Sequence, residues 1–337
     1  MRIALSALFI LLLSTFYVNG QTLEWDLNFH GFADNREYGK SGRYPQTIFG
    51  ARFSPEIGVQ IDSTHRFRAG VNVLHEFGSS KFIGQSTPVL YYQYEIKNVD
   101  FYIGLFPRHN LLSDYPRALL NDTLNYYRPN VEGMLFKYDN SKFRQTVWID
   151  WTSRQTATER ETFLFGLSGT YKPGIFFTSY YAHMFHNAGP AVDVPGDHLQ
   201  DNGGATVQLG LDLSGKTILD SLTIAAGGLV SFERTRTIGN WETPKGALIT
   251  LHAGYKRFGI TNTFYSGEGH NIIYGDKFYT AKTYNRSDLS WTPILYKNIE
   301  GIFTLSFHFL EGVTDNQQAF GLRYKFGGRK NFKSKSE

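Results

Sequence analysis

The chain has 337 residues, with 34 Lys and Arg against 30 Asp and Glu, a formal net charge of +4, and no cysteine. This charge balance argues against the concentrated basic face that nucleic-acid binding requires, and the lack of cysteine excludes disulfides and thiolate metal sites. Aromatic residues make up 16% of the chain, with 28 Phe and 21 Tyr. Many aromatics in a largely polar chain are typical of strands with one apolar and one wet face.

Residues 1–20 have the pattern of a secretory signal peptide. Arg2 supplies positive charge, residues 4–17 form an apolar run, and Val18 begins a short stretch before a predicted cleavage site at Gln21. The run is short for a membrane-spanning helix, which needs ~20 apolar residues, and no later segment has ~18 in succession. We therefore predict a signal peptide at 1–20, a folded body at 21–326 and a basic C-terminal tail at 327–337.

Apolar and polar residues alternate with a period of two along most of the remaining chain. Leu23, Trp25 and Leu27, for example, alternate with Glu24 and Asp26. This period predicts strands whose two faces meet different solvents. We place sixteen such strands near residues 22–32, 46–61, 66–78, 87–97, 99–107, 131–139, 142–153, 160–172, 174–186, 204–214, 219–233, 245–256, 257–268, 282–292, 299–311 and 316–326.

The connections between these strands alternate between short and long, and the long ones lie near residues 33–45, 108–130, 187–203, 234–244 and 269–281. A barrel of ~16 strands has a lumen too wide to fill with apolar side chains, so the apolar face must point to lipid. The sequence therefore predicts an all-β fold, a transmembrane antiparallel up-and-down β-barrel of about 16 (14–16) strands. Short periplasmic turns and long extracellular loops would join the strands. Two packed β-sandwiches are the soluble alternative.

The stretch 319–326 ends in alternating apolar residues and Phe326, and it resembles the assembly signal of bacterial outer-membrane β-barrel proteins. In strand number the chain resembles the general (16-stranded) porins. That resemblance implies that the loop between strands five and six, here residues 108–130, folds into the barrel and narrows it. The implied pore-constriction candidates are Arg108, His109, Asp114, Arg117, Asp122 and Arg128.

The polar face of the alternation predicts which side chains line the lumen. An Arg or Lys facing lipid at mid-membrane costs about 2–4 kcal/mol, so charged residues on a strand mark its inner face. The signs are mixed, which predicts weak overall ion preference. The lumen-lining candidates are Glu24, Asp26, Arg52, Glu95, Asp150, Asp212, Arg286, Asp288 and Arg323.

The sequence is interpreted as a porin-like channel of a Gram-negative outer membrane for passive transport of small hydrophilic solutes, and not as an enzyme. We expect contacts with outer-membrane lipid and with barrel assembly machinery through the 319–326 strand, and no nucleic acid, cofactor or metal. His183 and His186 fall on opposite faces of a strand, which argues against zinc. One alternative is a closed or plugged barrel for binding or adhesion. Another is an outer-membrane hydrolase, with Asp197 beside His198, or Ser266 with His270, as candidates.

Overall fold

A computed structural model describes residues 21–192 and 194–331, so the predicted signal peptide lies outside the described residues. The described chain forms one closed barrel of sixteen antiparallel strands, in which neighbours in sequence pair and β1 closes against β16. The predicted β-barrel fold is confirmed. The strands are β1 (Gln21–Glu37), β2 (Gln46–Ile61), β3 (His65–Glu76), β4 (Gln85–Ile96), β5 (Val99–Pro107), β6 (Asn130–Asp139), β7 (Phe143–Ser153), β8 (Thr162–Tyr171), β9 (Phe176–Asn187), β10 (Gln200–Asp212), β11 (Ser221–Thr235), β12 (Lys245–Tyr255), β13 (Phe258–Gly267), β14 (Thr283–Tyr296), β15 (Ile299–Leu310) and β16 (Val313–Asn331).

Alternating side chains along each strand face opposite sides of the wall. On β2, Phe53 and Ile57 are about half exposed, whereas Arg52, Ser54 and Glu56 between and beside them are buried. An apolar outer face and a polar inner face fit a wall with lipid outside. The period-two alternation arises because successive side chains of a strand point to opposite faces of the sheet.

The two ends of the barrel differ in the length of their connections. At the long-loop end lie residues 108–129, 188–199 and 268–282, whereas the short-turn end has connections such as 97–98 and 256–257. The loops contain 3₁₀ turns at Gly39–Ser41 and Lys277–Thr280 and one helix, α1 (Leu124–Tyr127). No helix within the described ranges is long and apolar enough to cross a membrane.

The last strand continues beyond the position where the alternation predicted its end. Gly327 to Asn331 pair with Asp26 to Thr22 of β1, and Arg329 forms an ion pair with Glu24 (Nε–Oε1, 3.1 Å). These residues lack the apolar alternation but have a partner strand along their whole length. The first part of the predicted basic tail therefore belongs to β16.

Two long loops fold into the lumen and pack on each other. We name residues 108–129 the plug loop and residues 268–282 the second inner loop. The amide of Asn121 donates to the carbonyl of Tyr274 (2.7 Å), and the amide of Asp276 donates to the carbonyl of Arg117 (2.8 Å). Within the plug loop, Leu119 and Leu120 close a turn on the carbonyl of Pro116.

The plug loop and the second inner loop bury apolar side chains against the wall. Trp148 of β7 donates from Nε1 to the Tyr115 hydroxyl (2.8 Å), and that hydroxyl donates to the carbonyl of Ala182 on β9 (3.2 Å). A Cβ on Gly204 of β10 would lie 3.0 Å from Leu119 and 2.6 Å from Ile272. The lumen therefore holds a packed apolar core, where the sequence predicted a polar lining.

Candidate functional site

One buried ion pair fixes both ends of the plug loop to the wall. Arg108 contacts Asp150 of β7, and both side chains are buried. Arg108 also donates from Nε to the carbonyl of Arg128 (3.0 Å) and from Nη2 to that of Asn130 (3.1 Å). The other Asp150 oxygen accepts from the Glu132 amide (2.9 Å). Three of these residues are predicted site residues, and the structure uses them to anchor the loop.

A second charged cluster holds the middle of the plug loop. Arg117 donates from Nε to Asp122 (2.7 Å) and from Nη1 to Asp288 of β14 (3.1 Å). Arg286 donates to Asp288 (2.7 Å) and lies 3.8 Å from Asp122. Burial acts to raise the pKa of Asp122, but Arg117 and Arg286 outweigh it and hold that pKa at about 2. These four predicted residues therefore form one network.

The two remaining pore-constriction candidates in the plug loop, His109 and Asp114, belong to neither ion-pair cluster. His109 lines a lumen cavity, and its pKa is lowered to about 4 by burial and by nearby Arg323. Asp114 is exposed and forms no ion pair with any described residue. Arg52 of β2 donates from its guanidinium to the carbonyls of Asn125 (3.1 Å) and Tyr126 in the plug loop.

The other predicted lumen residues face inward and mostly have charged partners. Glu24 lies 2.9 Å from Arg66 and 2.8 Å from Arg68, and Arg68 also contacts Asp26. Glu95 pairs with Arg66 (3.1 Å). At the short-turn end, Asp212 contacts Lys172. The lining is therefore largely self-neutralised.

The plug loop separates two cavities inside the barrel. A cavity of about 770 Å³ runs from the short-turn end, where Lys297 and Arg329 line it, up to His109 of the plug loop. A second cavity of about 330 Å³ lies toward the long-loop end, between Arg36 and Lys277. The two share no lining residue.

The histidine pairs suggested by the sequence do not form. Asp197 contacts Arg160, while His198 bonds to the hydroxyl of Thr237 (2.7 Å). Ser266 is exposed and belongs to the outward phase of β13.

His270 pairs instead with Ser231 of β11, across 2.7 Å between Oγ and Nδ1. Both side chains are buried between the wall and the second inner loop, and burial lowers the pKa of His270 to about 4. The imidazole Nε2 has no hydrogen-bond partner among the described residues. A lipid outside the barrel has no direct access to this pair.

A histidine–carboxylate pair does lie on the outer surface of the barrel. His186 of β9 and Asp201 of β10 are directly opposite each other, and Nδ1 lies 3.3 Å from Oδ1. Their sequence neighbours Phe185 and Asn202 face inward, where Phe185 packs edge-to-face against Tyr274 and Asn202 bonds to the second inner loop. His186 and Asp201 therefore face outward, at the long-loop end.

Two arginines surround the carboxylate of this pair. Arg236 donates from Nε (2.7 Å) and Nη2 (3.0 Å) to Asp201, and Arg234 donates from Nη2 (3.3 Å). The bond to Asp201 raises the pKa of Arg236. The Asp201 side chain is 1% exposed, whereas that of His186 is 18% exposed. Asp201 is thus held as a buried anion while the imidazole reaches the surface.

Aromatic side chains lie on both sides of His186 and Asp201 along the outer face of the wall. Phe163 of β8 stands opposite His186, with ring centroids 5.0 Å apart, and Trp151 packs against Phe163 (5.4 Å). On the other side, the Arg234 guanidinium covers the ring of Trp241 (4.3 Å). Aromatic girdles mark the membrane interface of outer-membrane barrels. The aromatic side chains beside the pair are typical of that interface.

The geometry of His186 and Asp201 suits general-base chemistry. A carboxylate that accepts from Nδ1 fixes the imidazole tautomer and leaves Nε2 able to take a proton. Nε2 of His186 has no hydrogen-bond partner within residues 21–192 and 194–331.

The sequence reasoning missed this pair because β10 was predicted to start at residue 204, whereas it starts at Gln200. His186 and Asp201 are 15 positions apart and meet only through the register of the β9–β10 hairpin. A predicted start of β10 before residue 201 would have placed Asp201 in a strand, and its pairing with His186 would then have followed from the hairpin register.

No group of three or more His, Asp or Glu side chains fit for a metal occurs among the described residues, which omit Asp193.

The fold is similar to that of solved porins. The anion-selective porin from Comamonas acidovorans has 12% sequence identity, with 91% of this chain and 99% of that chain covered and a TM-score of 0.52. A variant of the Rhodopseudomonas blastica porin has 11% identity, with 90% of this chain and all of that chain covered and a TM-score of 0.51. A comparison with curated proteins gives no match. The chain is thus an outer-membrane-type β-barrel protein with porin-like architecture.

A family model described as "Lipid A 3'-O-deacylase-type" matches residues 18–327. The chain belongs to this family. The prediction that it is not an enzyme is therefore wrong, because the family is described by a hydrolytic activity. The prediction weighed histidine pairs by closeness in sequence, and such pairs do not reveal the family.

Proposed function

We propose that this protein hydrolyses an ester-linked acyl chain of a lipid in the outer leaflet of a Gram-negative outer membrane, with its long loops outside the cell. The observation that carries the proposal is the outward His186–Asp201 pair at the long-loop end. The ester of a lipid lies between headgroup and acyl chains, so a site that hydrolyses it must face lipid near the interface. The family description supports lipid A as the substrate and the 3'-O-acyl chain as the leaving acid.

His186 and Asp201 have separate roles in the proposed reaction. His186 Nε2 takes a proton from a water molecule while the water oxygen attacks the ester carbonyl carbon. The tetrahedral intermediate then collapses, and the imidazolium gives that proton to the departing sugar oxygen. The products are a free fatty acid and a sugar hydroxyl. Asp201 holds the imidazole at Nδ1 and stabilises its positive charge.

The arginines around Asp201 suit the headgroup of such a lipid. Arg234 and Arg236 place two positive charges beside Asp201, whose single negative charge balances only one of them. Guanidinium groups recognise phosphate through paired N–H donors. A phosphorylated glycolipid would therefore be held with its headgroup toward the long loops and its chains along the aromatic wall.

The test measures fatty-acid release from lipid A by the folded protein in detergent micelles, using mass spectrometry. We expect wild type to release one acyl chain, and His186→Gln and Asp201→Asn to be slower by about 10²–10⁴-fold, the usual contribution of a general base. His252→Gln, the same change on the inner face near the short-turn end, should keep wild-type activity. Activity that survives His186→Gln but is lost in Ser231→Ala would overturn the proposal and move the chemistry into the lumen.

Passive diffusion through an open pore receives less support than ester hydrolysis. The plug loop and the second inner loop bury Leu119, Phe278 and Tyr279 inside the lumen. The two lumen cavities on either side of these loops share no lining residue. The plugged-barrel alternative fits this packing better than the channel does. Recognition of the 319–326 strand by assembly machinery stays a prediction.

A further inference from the structure

The larger lumen cavity has more basic than acidic side chains on its lining. Its volume of about 770 Å³ is within the ~300–1,000 Å³ typical of small-molecule sites. Nine Arg and Lys side chains line it against three Asp and Glu side chains. Several of the nine have carboxylate partners, such as Arg66 and Arg68 with Glu24. The remaining positive charge is concentrated on the wall formed by β16, β1 and β2.

Three basic side chains form one row across this wall. His30 of β1 is directly opposite Arg52 of β2 on one side and Arg323 of β16 on the other. All three line the cavity, and His109 of the plug loop joins them from above. Side chains directly opposite on neighbouring strands have Cβ atoms about 4.5–5.5 Å apart, so these three side chains lie close together on the inner face.

Neither arginine of this row forms an ion pair with a carboxylate of the described chain. Arg52 and Arg323 have no Asp or Glu oxygen within 4.0 Å among the described residues, although Glu300 stands opposite Arg323 on β15 and partly offsets its charge. Arg52 bonds only to the carbonyls of Asn125 and Tyr126, and its buried Nε has no acceptor in the described chain. Carbonyl acceptors orient a guanidinium but leave its charge uncompensated.

We infer that the cavity binds a phosphate-bearing solute that enters from the short-turn end and rests on Arg52, His30, Arg323 and His109. A phosphate group carries about −1.5 to −2 charges at pH 7 and accepts hydrogen bonds on three oxygens. It therefore suits several converging donors better than a carboxylate, which has two oxygens and one charge. Asn28 and Asn110 line the same space and add amide donors.

The site is separate from the outward His186–Asp201 pair. It lies inside the barrel on β16, β1 and β2, whereas His186 and Asp201 lie outside on β9 and β10. Binding there involves no ester and no acyl chain. Failure of the hydrolase proposal would therefore leave this inference standing, and the reverse also holds.

The test is calorimetric titration of the folded full chain, in micelles of neutral detergent and phosphate-free buffer, with inorganic phosphate and with glucose 6-phosphate. We expect saturable binding of both, weakened at least tenfold in Arg323→Gln and in Arg52→Gln. Arg144→Gln is the matched control, because Arg144 lies at the short-turn end, pairs with Asp139 and does not line the cavity. A heat-dependent gel shift shows that each variant is folded.

Short-chain phosphatidic acid distinguishes a lipid headgroup from a free solute. Binding of inorganic phosphate and glucose 6-phosphate that depends on Arg323 and Arg52 supports the inference. Binding of phosphatidic acid alone, with no heat from the soluble phosphates, overturns it. Equal affinity in wild type, Arg323→Gln and Arg52→Gln also overturns it, since the basic row would then have no part in binding.

Discussion

Arg117 donates a hydrogen bond to Asp288 across 3.1 Å, which joins the plug loop to strand β14 on the wall of the barrel. The same guanidinium bonds to Asp122 within the loop, so one side chain fixes the loop internally and to the wall. The plug is therefore attached by a charged contact at its middle as well as by Arg108 near its start. This attachment should decide whether the lumen stays closed.

Replacement of Arg117 with Gln should loosen the plug loop. Loss of a hydrogen bond to a charged partner costs about 1.5–3 kcal/mol, and the partial exposure of Arg117 puts the loss toward the lower value. In planar bilayers we expect no steady conductance from wild type and intermittent openings from Arg117→Gln. Arg257→Gln, at the short-turn end, is the matched control. Steady wild-type steps would contradict the closed lumen and restore the diffusion channel.

Acidification should remove the contribution of Asp122 to stability. Its pKa is held at about 2 in the folded protein, below the ~3.9 of an unfolded aspartate. A depressed pKa stabilises the fold fully above the unfolded value and loses that effect as the pH falls through the folded value. The difference in thermal midpoint between wild type and Asp122→Asn should thus be constant above about pH 5, decline as the pH falls, and disappear below about pH 2. A difference that does not change across this range would show that the network does not hold the ionised carboxylate.

Replacement of Arg236 with Gln should weaken the proposed catalytic pair, His186 and Asp201, without removing it. Arg236 makes two hydrogen bonds to Asp201, so its loss leaves that carboxylate freer to turn away from His186. We expect acyl release from lipid A to fall by about tenfold, less than for His186→Gln, because the general base itself remains. Arg154→Gln, an exposed change in a neighbouring long loop, should have no effect. If Arg236→Gln reduced acyl release as much as His186→Gln does, Arg236 itself would contact the substrate.

The wall of the barrel follows from local sequence, whereas the contents of the lumen do not. The alternation along β2 places Arg52 on the inner face and Phe53 on the outer face. A register slip of one residue would move every side chain of the strand to the opposite face, so the apolar pattern fixes the register. The plug loop has no period-two alternation, so its apolar residues do not indicate whether they point into the lumen. Leu119 packs beside Gly204, far away in sequence, where a Cβ would lie only 3.0 Å from the leucine side chain.

The candidate site was hidden for a related reason. The sequence reasoning compared histidines with nearby acids and hydroxyls, such as His198 with Asp197. Pairing across a hairpin depends on where each strand begins, and the polar start of β10 at Gln200 carries no apolar alternation. The outward position of His186, opposite to His183, was already implied by strand periodicity. Identification of its partner Asp201 required, in addition, the register of the β9–β10 hairpin.

The contact between Arg117 and Asp288 spans 171 positions of the chain. The plug loop therefore cannot reach its final place until β14 has joined the wall, late in synthesis and assembly. A chain shortened before β14 would therefore lack the attachment at the middle of the plug loop, while Arg108 and Asp150 of β7 would still hold its ends.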